Sequence, residues 1–179
     1  GGDVFMKATS ERLAARIERR HAGWRAAGLP VPEVLHRDAG TLVLARQAGD
    51  SASGRLADLD AQRFLDGLDA LRARAATIPS RSPARASLAS RAHWYAERVG
   101  HRAPDLRERV AGLADAVQAV WERTPPHPVT IHGDLHVGQL FVSPADPSQV
   151  IGVIDIDTAG LGDPADDDAA LWAHLVATE

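Results

Sequence analysis

The sequence predicts an α+β fold in which a few strands and one helix come first and a mainly helical stretch follows. Strand-type alternation brackets one helical period within residues 4–47. Proline-punctuated helical periods fill the middle of the chain, and short apolar runs of strand type cluster between residues 129 and 154. That order suggests a partial small β lobe over residues 1–48 and a helical lobe over 49–179, with chemically rich loops on short strands between them.

Val4 to Ala8 reads as a strand. Thr9 or Ser10 can cap a helix that carries Leu13, Ile17, His21 and Trp24 on one apolar face, and Gly28 and Pro30 stop it. Glu33 to Asp38 and Thr41 to Gln47 alternate as strands around the hairpin signal Asp38-Ala39-Gly40. Gly49 to Gly54 reads as a flexible joint. Leu56 to Ile78 is helical, with Leu65, Leu68 and Leu71 in register, and Pro79 to Pro83 breaks it. Ala84 to Val99 forms the next helix. Pro104 opens a third, with Leu106, Val110, Leu113, Val117 and Trp121 on one side, and Pro125-Pro126 and Pro128 close it. Strands follow at Val129 to His132, Gln139 to Val142 and Val150 to Ile154. Asp163-Pro164 then opens a last helix that ends near Glu179. Trp24, Trp94, Trp121 and Trp172 lie on helical faces and are expected in the core.

At 179 residues the chain is one domain or a lobe of a larger one. A net charge of −4 and a pI near 6.1 give no electrostatic case for nucleic acid. No cysteine is present, so thiolate metal sites and disulfides are excluded. No stretch is long and apolar enough to span a membrane and no secretory signal opens the chain, so the cytoplasm is the expected compartment. Gly1-Gly2-Asp3 leads at once into Val4-Phe5-Met6-Lys7, as the last strand of a sheet would; the glycine pair is a cloning scar or the chain is a piece of something longer.

The chemistry concentrates in His132-Gly133-Asp134-Leu135-His136-Val137-Gly138-Gln139 and in Asp155 and Asp157 beyond the last apolar strand. Gly133 and Gly138 make a tight loop that can aim Asp134 into a cleft. An acid, an amide and further acids are what phosphoryl transfer to an alcohol requires: Asp134 to orient the hydroxyl and take its proton, and Gln139 and Asp155 to hold Mg²⁺ beside nucleotide phosphates. Period-two alternation puts Asp157 on the same side as Asp155, as a further ligand. His132 reads as an organiser of the loop, and His136 as a turn or site residue. The acidic run Asp163, Asp166, Asp167 and Asp168 is a solvated face or faces a cationic acceptor.

Val129 to Asp166 resembles the aminoglycoside phosphotransferase and choline kinase-like family, which shares the protein kinase fold. The resemblance implies an ATP- or GTP- and Mg²⁺-dependent transfer to a hydroxyl of a small molecule of aminoglycoside or amino-sugar type. It makes Asp134 the catalytic Asp and Asp155 the main metal ligand, and Gly160-Leu161-Gly162-Asp163-Pro164 matches the family's following segment. Gln139 stands where Asn is usual, although maltokinase-like relatives carry a similar Gln, and Ile156 replaces an aromatic. Lys7 resembles the phosphate-contacting Lys, Glu18 its ion-pair partner, and Leu29-Pro30-Val31-Pro32 a family stretch after Trp24. Thr41 to Asp50 resembles the adenine-contacting hinge, which assigns Arg46 and Gln47 to the nucleotide. The Gly-rich phosphate loop has no counterpart before Gly1, so weak nucleotide binding is expected from this chain.

Two other readings stay open on the residues. A non-catalytic or truncated kinase-fold module would need none of this chemistry. A metallophosphoesterase could use Asp134, His136 and His132, but it would need further His and Asn ligands; only His174 follows, and the chain has no Asn.

Overall fold

The computed structural model describes residues 3–124 and 127–177. The Gly1-Gly2 opening, the Pro125-Pro126 helix stop and the end of the last helix near Glu179 lie outside the described residues. The α+β class holds, with small antiparallel sheets set among helices.

Strand β1 (Val4–Ala8) forms as the alternation predicts and is followed by helix α1 (Glu11–Ala26). The Ser10 hydroxyl accepts the Leu13 amide at 3.3 Å, a cap worth about 1 kcal/mol. Ala14, Ile17, His21 and Trp24 form the buried face of α1. His21 donates from Nδ1 to the Pro32 carbonyl at 2.8 Å, and burial pushes its pKa down, so the ring stays neutral. Strands β2 (Val34–Asp38) and β3 (Thr41–Ala45) make the expected hairpin, and the sheet order is β1-β3-β2. Gly40 is required there: a Cβ would sit 2.0 Å from the Thr9 carbonyl oxygen. Ala14, Ile17 and Leu42, with Leu13 and Val34 packed against them, form a small core between α1 and this sheet.

The expected joint at Gly49 to Gly54 is instead tied down. Asp50–Ser51 form β4, paired with β6 (Leu140–Val142), and Ala52 in the 3-10 turn that follows is fully buried. Helix α2 (Ala61–Ala76) buries Phe64, Leu68, Leu71 and Ala75, while Leu65 stays 42% exposed. The apolar stripe therefore begins one residue earlier than the leucines alone indicate. These residues join Trp24, Leu29 and Val31 with Leu135, Leu140 and Val153 in the main core, so chain from both sides of residue 48 contributes to it.

Residues 84–91 do not begin the predicted helix. Pro83 lacks an N–H and disfavours the helical region for Ser82. The segment runs extended past β8 (Gly160–Gly162): Ala84 donates to Leu161 and Leu161 to Ser82, at 2.8 and 2.9 Å. The helix proper, α3 (Ala92–Arg102), pairs with α4 (Arg107–Arg123) after a 3-10 turn opened by Pro104. The predicted apolar side of α4 is largely at the surface, with Leu113, Val117 and Trp121 at 59%, 43% and 37% exposure. Trp94 and Trp172 are also exposed, which leaves Trp24 as the tryptophan in the core. Trp94 instead carries the Arg98 guanidinium 4.5 Å from its ring centre.

Strand β5 (Val129–Ile131) pairs with β8, which the sequence did not suggest, and β7 (Val150–Val153) pairs with β6. The strand before Asp155 thus adjoins the one after Gln139, not the one before Asp134. Helix α5 (Pro164–Ala177) follows as expected. No helix among the described residues is long and apolar enough to cross a membrane.

Candidate active site

The loop after β5 turns at Gly133 with φ +83°, where a Cβ would meet the Thr158 carbonyl oxygen at 2.7 Å. Three separate segments hold it. The buried Asp167 carboxylate, in the first turn of α5, accepts the His132 and Gly133 amides at 2.9 and 2.8 Å. His132 donates from Nε2 to the Ile154 carbonyl at 2.9 Å, and the Thr158 hydroxyl donates to the His132 carbonyl at 3.0 Å. His132 thus bonds to the rest of the fold through both its ring and its backbone. Burial raises the Asp167 pKa, while His132 and the two amide donors pull it back down.

Asp167→Asn keeps one oxygen but turns an NH₂ towards the second amide. It is expected to destabilise the fold by about 1–3 kcal/mol, read as a lower urea midpoint. Unchanged stability would mean that the amides find other partners.

Asp134 projects from this loop and is half-buried, with Oδ2 2.8 Å from Arg85 Nη1. A pair this exposed contributes about 0–1 kcal/mol, so its opening is cheap. Gln139 closes the loop. Its amide donates to the His136 carbonyl and its carbonyl accepts the Ile154 amide at 3.0 Å, which sets it beside Asp155. Its side-chain Oε1 is buried and has no hydrogen-bond partner among the described residues.

Asp155, two residues beyond the end of β7, lies in the left-handed region, φ 59° and ψ 41°. The turn it starts, Ile156–Thr158, is 3-10 rather than strand, so period-two alternation does not apply to Asp157. Both acids nevertheless meet the Lys7 ammonium, at 2.7 Å for Asp155 and 2.5 Å for Asp157. Burial works against the Lys7 charge, yet the two carboxylates leave its pKa above the ordinary value. An Arg20 guanidinium on α1 donates to the Asp157 carbonyl and fixes the turn from the other side.

Lys7, Gln47, His136, Gln139, Asp155 and Asp157 line one cleft of about 400 Å³, whose apolar walls include Phe5, Leu44 and Phe141. Asp134 is outside that lining. Gln47 donates weakly to the Ile151 carbonyl at 3.3 Å. Arg46 turns away to Asp3 at 2.7 Å. Glu18 is not the partner of Lys7: it pairs with Arg37 of β2 at 2.7 Å, because its position on α1 faces that strand, and the acids at 155 and 157 take the lysine. The His136 ring stacks on His174 with centroids 4.0 Å apart; burial first, and His174 second, lower its pKa.

The acidic run is used internally. Asp166 accepts the Ser87 hydroxyl and the Leu88 amide, Asp167 holds the loop, and Asp168 pairs with Arg72 at 2.8 Å. Arg85, Arg20 and the role of Asp167 were missed in the sequence. Asp167 carried a partial signal, an acid in the first turn of a helix that follows Gly-Asp-Pro, but nothing in the sequence told it from Asp166 and Asp168; Arg85 carried none.

A divalent ion fits the donor set. Among the described residues no three His, Asp or Glu side chains group as a metal cage. Mg²⁺ commonly takes only one or two carboxylates and keeps several waters. Asp155 and Asp157 already converge on one cation, and the partnerless Gln139 oxygen lies buried beside them.

The profile of the phosphotransferase enzyme family matches residues 4–179. The sequence matches no curated protein. Solved structures share the fold. One is aminoglycoside phosphotransferase APH(3'')-Id from Streptomyces rimosus in complex with ADP and streptomycin, 22% identical with TM-score 0.62 over 98% of this chain and 72% of that one. Another is the GDP and kanamycin complex of APH(2")-IIia, at 18%, TM-score 0.72, and 92% and 64% coverage. A third is macrolide 2'-phosphotransferase MphH from Brachybacterium faecium, at 19%, TM-score 0.61, and 99% and 69% coverage. The fold is that of kinase-like aminoglycoside phosphotransferases, and the chain belongs to the phosphotransferase enzyme family.

Proposed function

We propose that this protein transfers the γ-phosphoryl group of ATP or GTP to a hydroxyl of a small molecule. The observation that carries the reading is the convergence of Lys7, Gln139, Asp155 and Asp157 on one cleft, next to a loop that presents Asp134. In this reading residues 1–48 and 49–179 form the two walls, and Gln47 and the backbone at Arg46 lie towards the base of the nucleotide. Lys7 steadies the phosphates. Asp134, freed from Arg85, orients the acceptor hydroxyl and takes its proton as the oxygen–phosphorus bond forms and the nucleoside diphosphate leaves. Mg²⁺ held by Gln139 and Asp155, with Asp157 as a further ligand, would neutralise charge on the phosphates.

Aminoglycosides or amino sugars are the proposed acceptors. The solved relatives support this, since they were captured with streptomycin and kanamycin. The acidic run no longer supports it, because Asp166, Asp167 and Asp168 are engaged within the fold. The test is a nucleotide-consumption panel with Mg²⁺ and aminoglycosides, amino sugars, maltose and choline, with the product identified by mass spectrometry. A phosphorylated acceptor is expected. Nucleotide binding without a product from any acceptor would favour a non-catalytic module.

A further inference from the structure

On the other side of residues 157–160 from the nucleotide cleft, a second concavity of about 260 Å³ lies between α1 and residues 78–82. Arg16, Arg19, Arg20 and Arg81 line it, together with Ser80 and Ser82, and no acidic residue is part of the lining. Arg16 lies one helical turn from both Arg19 and Arg20 on α1, and all three border the same concavity. Arg37, Arg55, Arg63 and Arg72 elsewhere each meet a carboxylate at 2.5–2.8 Å. Among the described residues, Arg16, Arg19 and Arg81 meet none. Arg20 spends its hydrogen bond on the Asp157 carbonyl. Burial, and then the neighbouring Arg16, hold its pKa below the ordinary value against the pull of the Asp157 charge.

Convergent guanidiniums repel one another unless an anion lies between them, and their forked N–H donors match the oxygens of a phosphate. We infer that the concavity formed by Arg16, Arg19, Arg20 and Arg81 is an oxyanion site, separate from the nucleotide cleft. It takes a phosphoryl group, either free orthophosphate or the phosphate ester of a small metabolite. The site is wired to the cleft. Arg20 holds the backbone of Asp157, whose carboxylate holds Lys7. An anion that draws Arg20 towards itself thereby acts on the turn carrying both cleft acids.

The test follows unfolding temperature while orthophosphate, glycerol phosphate or chloride is added at matched ionic strength. Three proteins are compared: the parent, Lys7→Met, and Arg16→Gln/Arg81→Gln, with circular dichroism to confirm folding. Phosphate stabilisation beyond chloride is expected in the parent and in Lys7→Met. Apparent affinity should weaken by about tenfold or more in the arginine variant, as loss of charge-assisted hydrogen bonds implies. Tighter binding of glycerol phosphate identifies an ester, and tighter orthophosphate the free ion. Single Arg81→Gln, on an exposed loop position, gives the same readout if the double variant folds poorly. The inference is overturned if phosphate acts no differently from chloride. It is equally overturned if stabilisation disappears with Lys7→Met and survives the arginine changes, which would put the anion in the cleft.

Discussion

Replacing Asp134 by Asn is expected to cut phosphoryl transfer by about a hundredfold or more, the usual contribution of a positioned general base. Asparagine retains the shape and one oxygen, so the hydroxyl still finds a hydrogen-bond acceptor but not a proton acceptor. Nucleotide affinity should hold within about threefold, because Asp134 does not line the cleft that contains Lys7 and Asp155. The fold should be indifferent as well. The one ion pair lost, to Arg85, is exposed and contributes at most about 1 kcal/mol. Steady-state rates, nucleotide titration and a melting curve on the same preparation separate these quantities. Transfer within about threefold of the parent would remove Asp134 from the role of base.

Gln139→Leu should move metal dependence and stability in opposite directions. The side-chain oxygen of Gln139 is buried without a partner among the described residues, a state that costs about 1–3 kcal/mol relative to a satisfied one. Leucine of similar bulk removes that oxygen, so the melting temperature should stay level or rise. If the oxygen serves a divalent ion, the Mg²⁺ concentration for half-maximal activity should rise about tenfold to hundredfold. A structural role alone predicts lower stability and an unchanged Mg²⁺ requirement. That second pattern would take Gln139 out of the metal set.

The parts of the fold that were legible in the sequence are those where local pattern and tertiary demand agree. The stripe of Ile17, His21 and Trp24 specified α1, and Asp38-Ala39-Gly40 specified the hairpin. Two kinds of feature were not legible. Residues 84–88 carry ordinary helix formers, but Ala84 and Arg85 give their amides to Leu161 and Thr158, and Ser87 and Leu88 bond to Asp166, long-range partners that no window on the sequence contains. The apolar side of α4 was correctly read as a stripe, yet a stripe does not say whether anything covers it. The site divides in the same way. Gln139 and Asp155 announced themselves by spacing, and the backbone bond between Ile154 and Gln139 brings them together. Lys7 pairs with Asp155 and Asp157 and not with the expected Glu18. Glu18, eleven residues beyond Lys7 and on α1, reads as a neighbour in sequence, while acids about a hundred and fifty residues away are closer in space. Arg85 lay beyond reach for the same reason, since only the docking of its extended segment on β8 delivers it to Asp134.

Under the proposed function, Lys7 and Arg85 give the resting protein its own stand-ins for the charges of the reaction. The ammonium sits where both turn acids point, and the guanidinium rests on the loop acid. Ligand arrival is then a change of partners and not the desolvation of bare carboxylates.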